Sequence, residues 1–169
     1  VAIAEFSGAS SELRFESEML LDHAPDSAPD FQIEEYAKTY PFSYQTDELI
    51  DLLPCIKPLH PDPEGVLSRW AHRFVRQGRP TPTGQLLMTL TYAIKESFSY
   101  TRRYEGGTYA PLTTLNLRRG SCRDLAVLMI EAVRSLGFAA RFVSGYIYVP
   151  DRDQAATLGG GSTHAWCQV

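Results

Sequence analysis

Two residues carry reactive side chains in suggestive settings: Cys122, in Arg118-Arg119-Gly120-Ser121-Cys122-Arg123-Asp124, and His164, in Thr163-His164-Ala165-Trp166. Ser121 followed three positions on by Asp124 forms the reciprocal pattern that opens a helix, the hydroxyl taking the Asp124 amide while the carboxylate reaches back. Cys122 then occupies the first helical position. The aligned peptide dipoles place partial positive charge there, which favours thiolate over thiol. The Cys122 amide has no acceptor within the helix and is free to donate to a developing oxyanion. Asp124 partly offsets this field, and Arg118, Arg119 and Arg123 reinforce it. A sulfur nucleophile also needs a base, and His164 is the candidate. The bland alternative is a buried structural cysteine, since free cysteine is among the most buried residue types.

The elements that must position the pair can be read from periodicity. Leu125, Leu128, Met129, Ala132, Val133 and Leu136 form one apolar stripe, closed by Gly137. From Phe138 to Tyr148 the chain is rich in β-formers, with Pro150 as the stop; residues 151–162 form a glycine-rich loop, and residues 163–169 a second strand. A helix and two strands in succession tend to pack as neighbours, which brings His164 toward Cys122. His164 and Cys167 resemble a metal-ligand pair, but positions three apart on a strand face opposite sides, so no metal or other cofactor is expected. His164 and Trp166 share a face. His23, His60 and His72 lack chemical company and are assigned no role.

Upstream, residues 47–53 read as a short helix stopped by Pro54. Asp62-Pro63 reads as the start of a helix with the stripe Val66, Leu67, Trp70, Ala71 and Phe74, ended by Gly78. A further helix begins near Thr83, with Leu86, Leu87, Leu90, Ile94 and Phe98 at helical spacing. Residues 12–16, running into Met19-Leu20-Leu21, alternate as a strand, and the Pro- and Asp-rich stretch 24–30 reads as a linker. Residues 1–30 are therefore taken as the tail of a preceding β-rich domain, and 31–169 as the main domain.

With 44% apolar and 21% charged residues, the 169-residue chain has the composition of an ordinary globular domain. A net charge of −4 argues against nucleic acid as partner, and no apolar run is long enough to span a membrane. Three cysteines, an odd number, do not make a disulfide framework. The first residues lack the pattern of a signal peptide, which points to the cytoplasm, and the missing initiator Met suggests a chain cut from something longer. Composition gives no oligomeric state.

Taken together, three segments resemble the bacterial transglutaminase-like superfamily, often described as cysteine proteases. They are residues 117–126 around Cys122, Arg141-Phe142-Val143-Ser144-Gly145-Tyr146, and Thr163-His164-Ala165-Trp166, with Pro111-Leu112-Thr113-Thr114-Leu115 as a lead-in. The resemblance implies an α+β, papain-like fold with the Cys-bearing helix packed on an antiparallel sheet. It also implies a protein or peptide substrate, Cys122 as nucleophile, and His164 as general base and later general acid. The family's third member, an acid on the next strand, is expected beyond Val169; Asp151 and Asp153 are weak stand-ins. Asn116 is a candidate oxyanion donor, and Tyr146 and Trp166 are candidate cleft residues. Water resolving the thioester would make the enzyme a protease or amidase, and an amine would make it a transglutaminase. The rival reading is a non-catalytic interaction module on the same fold.

Overall fold

A computed structural model describes Glu5, Gly8, Ala9, residues 11–14 and 16, and then residues 32–103, 105–147 and 162–169. The chain divides into two compact units, Val1–Gln32 and Ile33–Val169. In the first, residues 12–14 and 16 are not in a strand, contrary to expectation. A strand exists only within a ladder, and none of the described residues of this unit belongs to one. Phe15, residues 19–21, His23 and the linker at 24–30 lie outside the described residues.

The second unit is a mixed α+β domain. Helix α1 (Thr46–Ile56) opens with a capping box between Gln45 and Glu48. It passes through Pro54, which was expected to stop it. The carbonyl that Pro54 leaves without a partner belongs to the exposed Ile50, where water can serve it. Helix α2 (Val66–His72) starts later than Asp62-Pro63 suggested, because Gly65 adopts a left-handed turn (φ 63°) just before it. Asp62 nevertheless serves the first turn, accepting from the amides of Val66 (2.8 Å) and Ser68 (3.0 Å). The helix ends at His72 rather than Gly78, as Arg73, Phe74 and Val75 each donate to the residue three back. Helix α3 (Thr83–Ser97) buries Leu86, Leu90 and Ile94, with Phe98 beyond its end, on the expected stripe. Helix α4 (Pro111–Leu117) starts with proline at its first turn.

Helix α5 (Cys122–Ser135) is the central element, with α2, α3 and α4 packed against it. Its Leu128, Ala132 and Val133 are sealed among Leu86, Leu90, Ala71 and Leu115. Strands β1 (Thr39–Tyr40) and β2 (Thr81–Pro82) pair antiparallel. Strands β3 (Ser99–Tyr100) and β4 (Arg119–Gly120) pair in parallel. Strands β5 (Arg141–Ile147) and β6 (Ser162–Gln168) form an antiparallel pair whose second member packs along α5. Residues 119–120, immediately before the cap of α5, are thus a short strand. The expected end of the strand at Pro150 and the glycine-rich loop lie outside the described residues, apart from Ser162, which begins β6.

The turn from α5 into β5 is closely specified. Gly137 has φ 91° and donates to Arg134 O, while Phe138 donates to Val133 O, the paired bonds of a Schellman stop. Phe138 is buried beneath Tyr40 and Phe42, with ring centroids 5.4 and 5.3 Å away. Arg134 donates from Nε (3.1 Å) and Nη2 (2.7 Å) to Ala140 O, and from Nη1 to Glu131 (3.0 Å). Glu131 in turn accepts from the amides of Leu59 and His60. The pair is almost fully buried, with side chains 6% and 3% exposed, so every charge must be matched. Arg134→Ala should lower unfolding free energy by about 3 kcal/mol, seen as a lower urea midpoint with unchanged slope. A midpoint equal to wild type would show that the pair is dispensable.

Candidate functional site

Asp124 organises the start of α5. Its side chain is fully buried. One carboxylate oxygen accepts from the Tyr109 amide (2.7 Å) and Arg103 Nη1 (2.7 Å). The other accepts from the Ser121 amide and hydroxyl, both at 2.8 Å. The capping box read from sequence is present in full, with Ser121 as N-cap and Cys122 as first helical residue. Burial pushes the Asp124 carboxyl up. The Tyr109 and Ser121 amides, with the Arg103 and Ser121 side chains, outweigh it and hold the group below its ordinary value.

The segment leading to Cys122 is pinned from three sides. Arg118 closes α4 in a left-handed conformation (φ 53°) that non-glycine residues seldom adopt. Ser99 N donates to Arg118 O (2.8 Å) and Thr101 N to Gly120 O (2.9 Å), tying the segment to β3. A Cβ on Gly120 would lie 2.7 Å from Asp124 Cβ, so only glycine fits there. Arg103 stacks over the Tyr109 ring at 3.7 Å, and Arg123 reaches Glu105 O at 2.9 Å. The carboxylate charge beside Cys122 is therefore matched by Arg103 (N–O 2.7 Å), a pairing that sequence reasoning had not foreseen. Its only signal was that a buried capping aspartate needs a cationic partner. Cys122 itself is half-buried.

His164 stands on β6 directly opposite Gly145. Strand β6, which carries His164, packs along α5, which begins at Cys122. Ala165, 5% exposed, and Cys167, packed on the core, occupy the opposite face of β6. His164 and Trp166 share the other face, as expected from alternation. The His164 Nδ1 lies 3.2 Å from Ala165 O. Among the described residues, no hydrogen bond joins His164 to Cys122. Trp166 lies across Gly145, where a Cβ would come within 2.6 Å of the indole. Glycine within a strand is the sequence signal for such close approach.

The remaining candidates are dispersed. Tyr146 pairs with Thr163 and is 67% exposed, on the face of the sheet opposite to that of His164. Asn116 is exposed on α4 and lines a concavity with Arg69, Arg73 and Arg118, to which Cys122 does not contribute. Burial, slightly opposed by Arg134, raises the Cys167 thiol to about 12.

A sequence model of the transglutaminase-like superfamily matches residues 68–169. An uncharacterized protein of Mycobacterium leprae is 43% identical over 61 residues, covering 34% of this chain and 21% of the relative. An uncharacterized protein of Mycobacterium tuberculosis is 33% identical over 93 residues, covering 52% of this chain and 28% of the relative. The chain thus matches only about a quarter of the length of these curated relatives. A crystal structure from Cytophaga hutchinsonii, named "putative cysteine protease", shares the fold with TM-score 0.55 and 22% identity, over 79% of this chain and 42% of the other.

Asp124→Asn removes the charge on which four donors converge and should cost about 2 kcal/mol of stability or more. Because the folded-state carboxyl is depressed, the wild-type advantage is full above the ordinary carboxylate value and is lost as pH falls through the folded value. The difference in urea midpoint between wild type and variant should therefore shrink between about pH 7 and pH 3; a constant difference would contradict this account of Asp124.

Proposed function

The chain belongs to the transglutaminase-like superfamily, and from that premise we propose that it carries the nucleophile and base of a cysteine hydrolase or acyltransferase acting on protein or peptide amides. The observation that supports this most is Cys122 at a capped helix start whose neighbouring carboxylate is already matched by Arg103. The positive end of α5 is thereby left to act on the sulfur.

In the proposed reaction, His164 takes the proton of Cys122, and the sulfur attacks the carbonyl carbon. The Cys122 amide donates to the resulting oxyanion. The C–N bond breaks as His164 returns the proton to the departing amine, leaving a thioester. Water, deprotonated by His164, then releases the acid, or an amine forms a new amide. Asn116 and Tyr146 are not given the donor and cleft roles considered for them, because one lies on a separate concavity and the other on the opposite sheet face. Trp166 is retained as a neighbour of the base. The chemistry so written needs no metal or cofactor, and no nucleic acid or membrane enters it. No described helix is long and apolar enough to cross a membrane.

A second reading, a non-catalytic interaction module, draws on the face occupied by His164, away from Ala165 and the helix. Labelling separates the two. With iodoacetamide at about pH 6, Cys122 should be alkylated at least tenfold faster than Cys55 or Cys167, because of the three it alone opens a helix. His164→Ala should slow Cys122 alkylation without changing Cys55. Uniform slow labelling, or no response to His164→Ala, would sink the catalytic reading.

A further inference from the structure

Arg69 on α2, Arg73 just past its end and Arg118 after α4 face one concavity of about 750 Å3. His72, Gln77 and Asn116 also line it, and no carboxylate does. The wall includes Trp70 and Leu115. Arg73 and Arg118 also line an adjoining hollow of about 420 Å3, with Trp70 and Phe74.

Three features set this cluster apart from a solvated surface. First, among the described residues none of the three guanidinium groups pairs with a carboxylate; Arg69 donates instead to the backbone oxygen of Glu64, and Arg118 lies 5.0 Å over the Phe98 ring. Second, like charges one helical turn apart repel, and the chain as a whole is acidic, with a net charge of −4. Three unmatched arginines around one hollow run against both tendencies. Third, Arg118 is delivered there from a left-handed backbone (φ 53°), a conformation that persists only where the surroundings impose it. Guanidinium forks match the oxygens of an oxyanion. Three positive charges fit a dianion better than a monoanion, and the half-buried Val66, beside the edges of Trp70 and Leu115, gives the wall an apolar strip for a small apolar body attached to it.

We propose that this concavity is a binding site for a small phosphate monoester with an apolar or aromatic body. The dianionic phosphate sits among Arg69, Arg73 and Arg118, with Asn116 and Gln77 as neutral donors. The site is separate from the Cys122–His164 chemistry and stands whether or not that reading holds.

Isothermal titration and thermal unfolding of the full chain, at constant ionic strength, provide the test. The probes are phenyl phosphate, inorganic phosphate and benzoate. Phenyl phosphate should bind saturably and raise Tm, more strongly than inorganic phosphate, with benzoate weakest. Arg69→Gln on α2 and Arg73→Gln just past its end, both at exposed positions, should each weaken phenyl phosphate at least tenfold. Arg141→Gln, remote from the hollow on β5, should leave it unchanged. Inorganic phosphate binding as tightly as phenyl phosphate would remove the apolar body from the proposal. Absence of saturable binding by either phosphate, or equal weakening by Arg141→Gln, would overturn it.

Discussion

A single buried carboxylate decides where the Cys122 end of the central helix lies. Asp124 gathers donors from residue 103, residue 109 and the Ser121 cap into one cluster sealed from water. These contacts join residues 103 and 109 and the residue just before the helix to the first turn of α5. An ion taken out of water is tolerated only when its lone pairs are filled, so the cluster has little freedom to exist in part. Cys122 inherits its place from that requirement. The helix start, the short strand before it and the 103–109 segment form one unit, with the sulfur at its edge.

The opposite end of α5 repeats this logic with Glu131 and Arg134, which join the 59–60 segment and the Ala140 carbonyl to the last turn. The central helix is thus fixed at both ends by buried charge, while its middle is held by apolar contact with α2, α3 and α4. Apolar packing is forgiving of small shifts, whereas the polar clusters are not. The two clusters therefore set the position of α5 along its axis, and the core sets its depth.

Much of this was legible in the residues. The stripe on α5, the Ser121–Asp124 box, the stop at Gly137 and the alternation of His164 and Trp166 against Cys167 are local patterns, and local patterns survive folding. Element boundaries upstream were less legible. Gly65 moved the start of α2 and solvent access let α1 run through Pro54, because both outcomes depend on surroundings rather than on neighbours in sequence. The bonds from Arg103 and the Tyr109 amide to Asp124 were not legible because they form across 21 and 15 residues of chain. The arginine concavity escaped notice for the same reason: Arg69 lies on one helix, Arg73 just past its end, and Arg118 beyond another.

The turn after α5 carries a constraint of a different kind. Its hydrogen bonds fix where Arg141 begins β5, and the register of β5 fixes that of β6. Side chains alternate along each strand, so adding or removing one residue among Phe138, Ala139 and Ala140 would exchange the two sides of β5. Composition at these positions can drift within the limits of packing. Their number cannot, and the parity of this short connector governs which way the whole pair of strands presents itself.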